Sequence, residues 1–196
     1  MRRALTNDLL HVGIDPDLHS CAWAVVSTRF EAAGIVRVPK NLKGQEAVAA
    51  MIRELHDSLE GELLDLSQDP TDWGSITVEG QQIYRGEGAT KNPASLLPVA
   101  VVAGAAALAA LQAAPDAPLW IPLPREWKGN VPKKINQGRS WTALGVCYTV
   151  RGGKEPYCVP ALPGVDIRPG DWKHAGDAVG LALAGKRRYE AQRTSR

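Results

Sequence analysis

Hydrophobic positions change their period along this chain, and the changes predict its elements. Leu10-His11-Val12-Gly13-Ile14-Asp15 holds β-formers and stops at Pro16. Cys21 to Val26 predicts a second strand that runs back beside the first. Gly34 to Val38 alternates and predicts a third, edge-like strand, giving three antiparallel strands. From about Gln45 to Leu66 the step lengthens to three and four. There Val48, Ile52, Leu55, Leu59, Leu63 and Leu66 form the apolar stripe of one helix. Gln68 to Asp72 breaks the chain, and Ser75 to Gly80 predicts a fourth strand. A helix between strands after a meander predicts an α/β fold with the fourth strand parallel to the first.

Further on, Asn92 and Pro93 suit the cap and first turn of an alanine-rich helix over about 93–113. Leu119-Trp120-Ile121 predicts a short fifth strand, followed by a basic loop over 122–134 and weak helix propensity from Ile135 to Leu144. Eight of the twenty residues from Arg151 to Gly170 are proline or glycine, so this stretch is read as a loop. A hairpin pairing 148–150 with 157–159 fits its start. A last helix starts near Asp171. With 196 residues, the expectation is one domain over 1–196, with an insertion at about 147–170 and a basic tail at 186–196.

Charge alters this picture more than composition does. The net charge is only +2, but from Glu46 to Asp72 there are eight acidic residues against one basic. From Arg125 to Glu155 there are seven basic against two acidic, and from Lys186 to Arg196 five against one. Such asymmetry suits one face built for a polyanion, with the acidic helix face turned away from it. Three cysteines make no disulfide framework. Cys21 reads as a small core hydrophobe. Cys147 and Cys158 read as free thiols, with pairing or metal binding as the alternatives. Residues 94–114 are almost uncharged, but alanine inserts poorly into bilayers, so a buried core helix and no membrane contact are expected. No signal peptide is visible, and the expected location is cytoplasmic.

Three acidic positions stand out. Asp15 ends the first strand, Glu79 ends the fourth, and Asp177 lies in the first turns of the last helix, three residues from His174. Asp15 taken alone either caps a turn or faces a cation. In α/β sheets, ligands gather at the carboxyl ends of the strands, where Asp15 and Glu79 would both sit. Clustered carboxylates repel one another and cations relieve the repulsion, so Mg²⁺ or Mn²⁺ suits the set. Two such ions about 3.5–4 Å apart are able to activate a water and stabilise a leaving oxygen in phosphodiester hydrolysis.

These residues resemble a known family. Gly13-Ile14-Asp15-Pro16, Val78-Glu79 and His174-Ala175-Gly176-Asp177-Ala178 look like the motifs of the RuvC family of Holliday-junction resolvases, within the RNase H-like superfamily. The resemblance spans nearly the whole chain. It implies an RNase H-like mixed five-stranded sheet flanked by helices, and a symmetric endonuclease acting on four-way DNA junctions as a homodimer through the helix at about 93–113. By motif match, the catalytic and metal-binding residues would be Asp15, Glu79, His174 and Asp177, with two ions per site. Lys128, Lys133 and Lys134 lie where the family places DNA-contacting lysines, and Arg139, Tyr84 and Arg85 join them as DNA-binding candidates. Tyr84, Trp127 and Trp141 are stacking candidates or else core and rim aromatics. The chain has Asp17 where the family usually has glycine, and Ala22 and Ala24 in place of later glycines. These differences point to a divergent, phage-type branch in a bacterial or phage-infected cell. Asp17 reads as a turn residue or an extra ligand. Two alternatives keep the fold: a nuclease for flaps, forks or other branched DNA, and a non-catalytic module for structured nucleic acid. An actin-like phosphotransferase is excluded by length.

Overall fold

The structure, a computed structural model, describes residues 8–81, 96–143 and 171–195, without the side chains of residues 133, 134 and 172. The strands are β1 (Leu10–Asp15), β2 (Ser20–Val26), β3 (Phe30–Arg37), β4 (Trp73–Val78) and β5 (Leu119–Trp120). They form one sheet in the order β3-β2-β1-β4-β5. β1, β2 and β3 pair antiparallel, while β4 runs parallel to β1 and β5 parallel to β4. This is the mixed sheet that the sequence pattern predicts. β3 starts four residues earlier than expected, at Phe30, which bridges to Val26 across a register shift. The predicted cap at Asn92 and Pro93, the 148–159 hairpin, Cys147, Cys158 and the 147–170 insertion lie outside the described residues.

Strand alternation gives the sheet two different faces. One carries Val12, Ile14, Cys21, Trp23, Val25, Ile76 and Val78, all buried in the larger core. Burial pushes the Cys21 thiol pKa up, so this cysteine is an inert hydrophobe. The other face carries small or polar residues, among them Gly13, Ala22, Ala24, Ser75 and Thr77.

On the apolar face lie α1 (Gly44–Glu54), a π-helical turn (Leu55–Leu59), α2 (Glu60–Leu66) and α3 (Leu96–Ala113). The predicted stripe needs correction in its first half. The buried positions are Ala47, Met51, Leu55, Leu59 and Leu63, while Ile52 is 37% exposed and Val48 only half-buried. Steps of four residues rotate a row by about 40° each on an ordinary helix. The wider π turn absorbs that drift and keeps the row on one side.

The expectation of a core helix holds for one side of α3. By length and composition this helix would suffice to cross a membrane. Its Ala103, Ala106, Ala107, Ala110 and Ala113 side is packed in the core, but Leu97, Val101 and Leu108 are 67%, 51% and 61% exposed.

The small-residue face is covered by α6 (Trp172–Thr194), which absorbs the predicted tail as helix up to Thr194. Gly13 sets how closely it lies. A Cβ there would fall 2.0 Å from the Ala178 carbonyl oxygen and 2.3 Å from the Ala182 nitrogen. An ion pair between Arg37, at the end of β3, and Asp171 ties down the start of the helix.

At the far end of β1, His11 is buried, with Nδ1 2.9 Å from Ser75 Oγ and its ring edge-on to Tyr189. Burial, and then the nearby Lys186 ammonium, lower its pKa to about 4. Neutral His11 belongs to the fold, whereas the unfolded chain takes a proton near pH 6.5. Stability from this group is therefore complete above about pH 6.5 and is lost as pH falls towards 4, by about 3 kcal/mol in all. Urea melts of wild type and His11→Gln between pH 7 and 4 should show this loss in wild type alone. Parallel curves for the two proteins would refute it.

Candidate active site

Parallel pairing of β1 with β4 brings the two strand ends together. Ile14 sits opposite Val78, and the Glu79 N–H donates to the Ile14 carbonyl at 3.0 Å. Asp15 and Glu79 thus leave the sheet side by side, towards the face covered by α6. The close approach of α6 at Gly13 then brings its first turns over Asp15, and His174 Nδ1 lies 3.5 Å from Asp15 Oδ2. Asp177 is one turn further along α6 and is 2% exposed. The four sequence-predicted residues therefore converge on one end of the sheet.

Each acidic side chain has a local partner. Glu79 Oε1 accepts from Trp127 Nε1 at 2.9 Å and from Lys128 Nζ at 3.2 Å. Both donors come from α4 (Pro124–Lys128), a short helix within the stretch expected to be loop. Pro124 opens this helix, and Glu126 Oε2 accepts from the Leu123 N–H at 2.6 Å. Asp177 Oδ2 accepts from Gln137 Nε2 at 3.1 Å. Gln137 lies on α5 (Lys133–Ala143) and also donates to the Lys173 carbonyl at 2.9 Å, fastening α5 to the start of α6.

The donor set suits a hard divalent cation in kind: three carboxylates and one imidazole. Among the described residues, no three His, Cys, Asp or Glu side chains stand close enough to grip one ion together. Glu79 is turned towards Lys128 and Asp177 towards Gln137.

Other candidates fall elsewhere. Asp17 is exposed and accepts from the Leu18 N–H at 2.6 Å, so it is a turn residue. Trp127 and Trp141 are 8% and 2% exposed, and both belong to the packing around α6. Lys128 is paired with Glu79, its ammonium 3.2 Å from Oε1. Arg139 is exposed on α5 beside Arg187 of α6. Lys133 and Lys134 open α5, but their side chains, like Tyr84 and Arg85, lie outside the described residues. Sequence reasoning missed Gln137 and Arg187. Arg187 was visible only as one of the basic residues of 186–196, and Gln137 carries no local signal, since it matters through contacts 36 and 40 residues away. The acidic residues of α1 and α2 are mostly exposed on the opposite face of the sheet, so the basic and acidic sides are separated.

A sheet of this order, with carboxylates at the ends of its two central strands and a long helix across one face, is an RNase H-like fold. Solved structures narrow the architecture further. The chain superposes on Thermus thermophilus RuvC with a TM-score of 0.58 and 18% identity, covering 95% of this chain and 97% of that one. On T. thermophilus RuvC in complex with Holliday junction substrate, the TM-score is 0.59 at 17% identity, covering 94% and 96%. The fold is therefore RuvC-like over nearly its whole length. No protein-family profile matches the sequence, and no curated protein matches it either.

Proposed function

We propose that this chain is a divalent-cation-dependent endonuclease that resolves four-way DNA junctions by paired, symmetric nicks. The observation that carries this reading is the convergence of Asp15, Glu79, His174 and Asp177 from β1, the end of β4 and α6. The likeness to a RuvC bound to Holliday junction substrate supports the substrate class. Asp15, Glu79, Asp177 and His174 would hold Mg²⁺ or Mn²⁺, two ions per site. When bound, such ions lower the pKa of a water and neutralise the departing oxygen of a phosphodiester.

The chain's own groups do the rest. Trp127 and Gln137 hold Glu79 Oε1 and Asp177 Oδ2 in place while the protein is free of DNA and metal. His174, next to Asp15, is positioned to take or give a proton. Arg139, Arg187 and Lys128 supply positive charge for the DNA backbone.

Paired nicks need two active sites. The exposed Leu97, Val101 and Leu108 face of α3 supplies a self-complementary surface for a homodimer. The double variant Leu97→Glu with Leu108→Glu should run as a monomer in light scattering where wild type runs as a dimer. It should also cut one strand of a junction without its partner. A wild type that is monomeric at micromolar concentration would remove the dimer from this reading.

Labelled four-way junction, flap, fork, RNA–DNA hybrid and linear duplex, each with Mg²⁺, Mn²⁺ or EDTA, test the activity itself. Symmetric nicks in the junction that vanish with EDTA are the expected outcome. Preference for flaps or forks would keep the chemistry and change the substrate. Tight junction binding with no cleavage under any metal would replace the enzyme by a binding module.

A further inference from the structure

Beside the carboxylates, α4, α5 and α6 enclose a groove of about 280 Å³. Arg139 of α5 and Arg187 of α6 line it, and both are exposed. Among the described residues neither arginine has a carboxylate partner, so their charges face the groove uncompensated. Asn136 adds a side-chain amide whose Nδ2 is buried without a hydrogen-bond partner. At the floor of the groove, Gly180 lets Trp127 of α4 and Ser140 of α5 pack directly on α6: a Cβ there would fall 2.7 Å from the Trp127 ring and 2.9 Å from Ser140 Oγ.

Lys128 joins this groove to the acidic site. Its side chain lines the groove, while its ammonium lies 3.2 Å from Glu79 Oε1 and 4.9 Å from the centre of the Trp127 ring. The Glu79 carboxylate is 15% exposed, so a single cation at that distance satisfies much of its charge. A divalent cation and Lys128 therefore compete for the same oxygen. A phosphate seated between Arg139 and Arg187 offers Lys128 a second anion within the reach of its flexible stem.

We propose that this groove seats one backbone phosphate of bound DNA, and that the phosphate draws Lys128 off Glu79, freeing that carboxylate for its divalent cation. DNA seating and metal loading are then coupled through one side chain. The inference rests on the nuclease reading above. It adds a phosphate subsite outside the carboxylate cluster and makes Lys128 a positioning residue for Glu79.

Two measurements test it without cleavage. The first is calorimetric titration of Mn²⁺ into DNA-free protein. Lys128→Ala should bind Mn²⁺ about 5-fold more tightly than wild type, the value of one partly exposed ion pair. Arg29→Ala removes the same charge at the opposite edge of the sheet, in the β2–β3 turn, and should match wild type. Equal affinities for Lys128→Ala and wild type would overturn the coupling. Loss of all Mn²⁺ uptake, or uptake unaltered by Asp15→Asn, would instead overturn the nuclease reading.

The second is the indole N–H resonance of Trp127, assigned with Trp127→Phe and followed in EDTA as four-way junction is added. In wild type it should move towards its position in DNA-free Lys128→Ala. In the Arg139→Ala, Arg187→Ala double variant, at saturating DNA, it should stay where it was. A resonance unmoved in saturated wild type, or moved equally in the double variant, would overturn the proposal.

Discussion

Asp15→Asn should abolish junction cleavage, by about 10³-fold or more, while leaving the protein folded and able to bind junction DNA. Asp15 is the acidic residue nearest the centre of the site, at the end of β1, flanked by Glu79 on the next strand and by His174 from α6. The amide has nearly the same shape as the carboxylate but no charge. It cannot offset the charge of a divalent cation. The fold should be almost indifferent, because the side chain is at the rim of the sheet and 13% exposed. Single-turnover cleavage, junction binding in Ca²⁺ and a thermal melt separate these effects. Residual cleavage within about tenfold of wild type would place the catalytic centre elsewhere.

Gly13→Ala should be among the most damaging substitutions to the fold, although it adds one methyl. The new Cβ would meet backbone atoms of α6 at Ala178 and Ala182, and backbone cannot rotate away as a side chain does. Either β1 bends or α6 lifts off. A loss of about 3 kcal/mol follows, or about 6–12 °C in melting temperature for a domain of this size. The same displacement would part His174 and Asp177 from Asp15, so cleavage should fall even at temperatures where the protein stays folded. Gly61→Ala, on the exposed side of α2, is the matched comparison. No atom lies within 4 Å of its added methyl, and alanine favours a helix by up to about 1 kcal/mol, so this variant should be as stable as wild type or slightly more. Equal melting temperatures for Gly13→Ala and wild type would mean that α6 does not rest on β1 as described.

Much of this was open to sequence reasoning because it depends on local rules. Alternation with β-branched residues placed β1, β2 and β4, and Pro16 ended β1 after Asp15. The parallel relation of β4 to β1 followed from the intervening helix, and with it the pairing of Asp15 and Glu79 at one end. His174 and Asp177 shared a helical face by their spacing of three.

Other features were hidden for identifiable reasons. A row at steps of four looks like an ordinary helix until the π turn at Leu55–Leu59 sets its phase, which is why Val48 and Ile52 were misplaced. Proline and glycine around Trp127 suggested loop, but a single capped turn forms there and aims the indole and Lys128 at Glu79.

By itself, the sequence determined the order of strands and helices and the carboxylates that end them. These follow from side-chain period, backbone restrictions and turn chemistry, which act over a few residues. Tertiary structure alone decided which partner each charged group takes: Lys128 on Glu79, Gln137 on Asp177, His174 beside Asp15, and Arg139 with Arg187 across one groove. Those contacts join residues tens to more than a hundred positions apart. They depend on how closely α6 settles on the bare backbone of Gly13, a distance that no local pattern encodes.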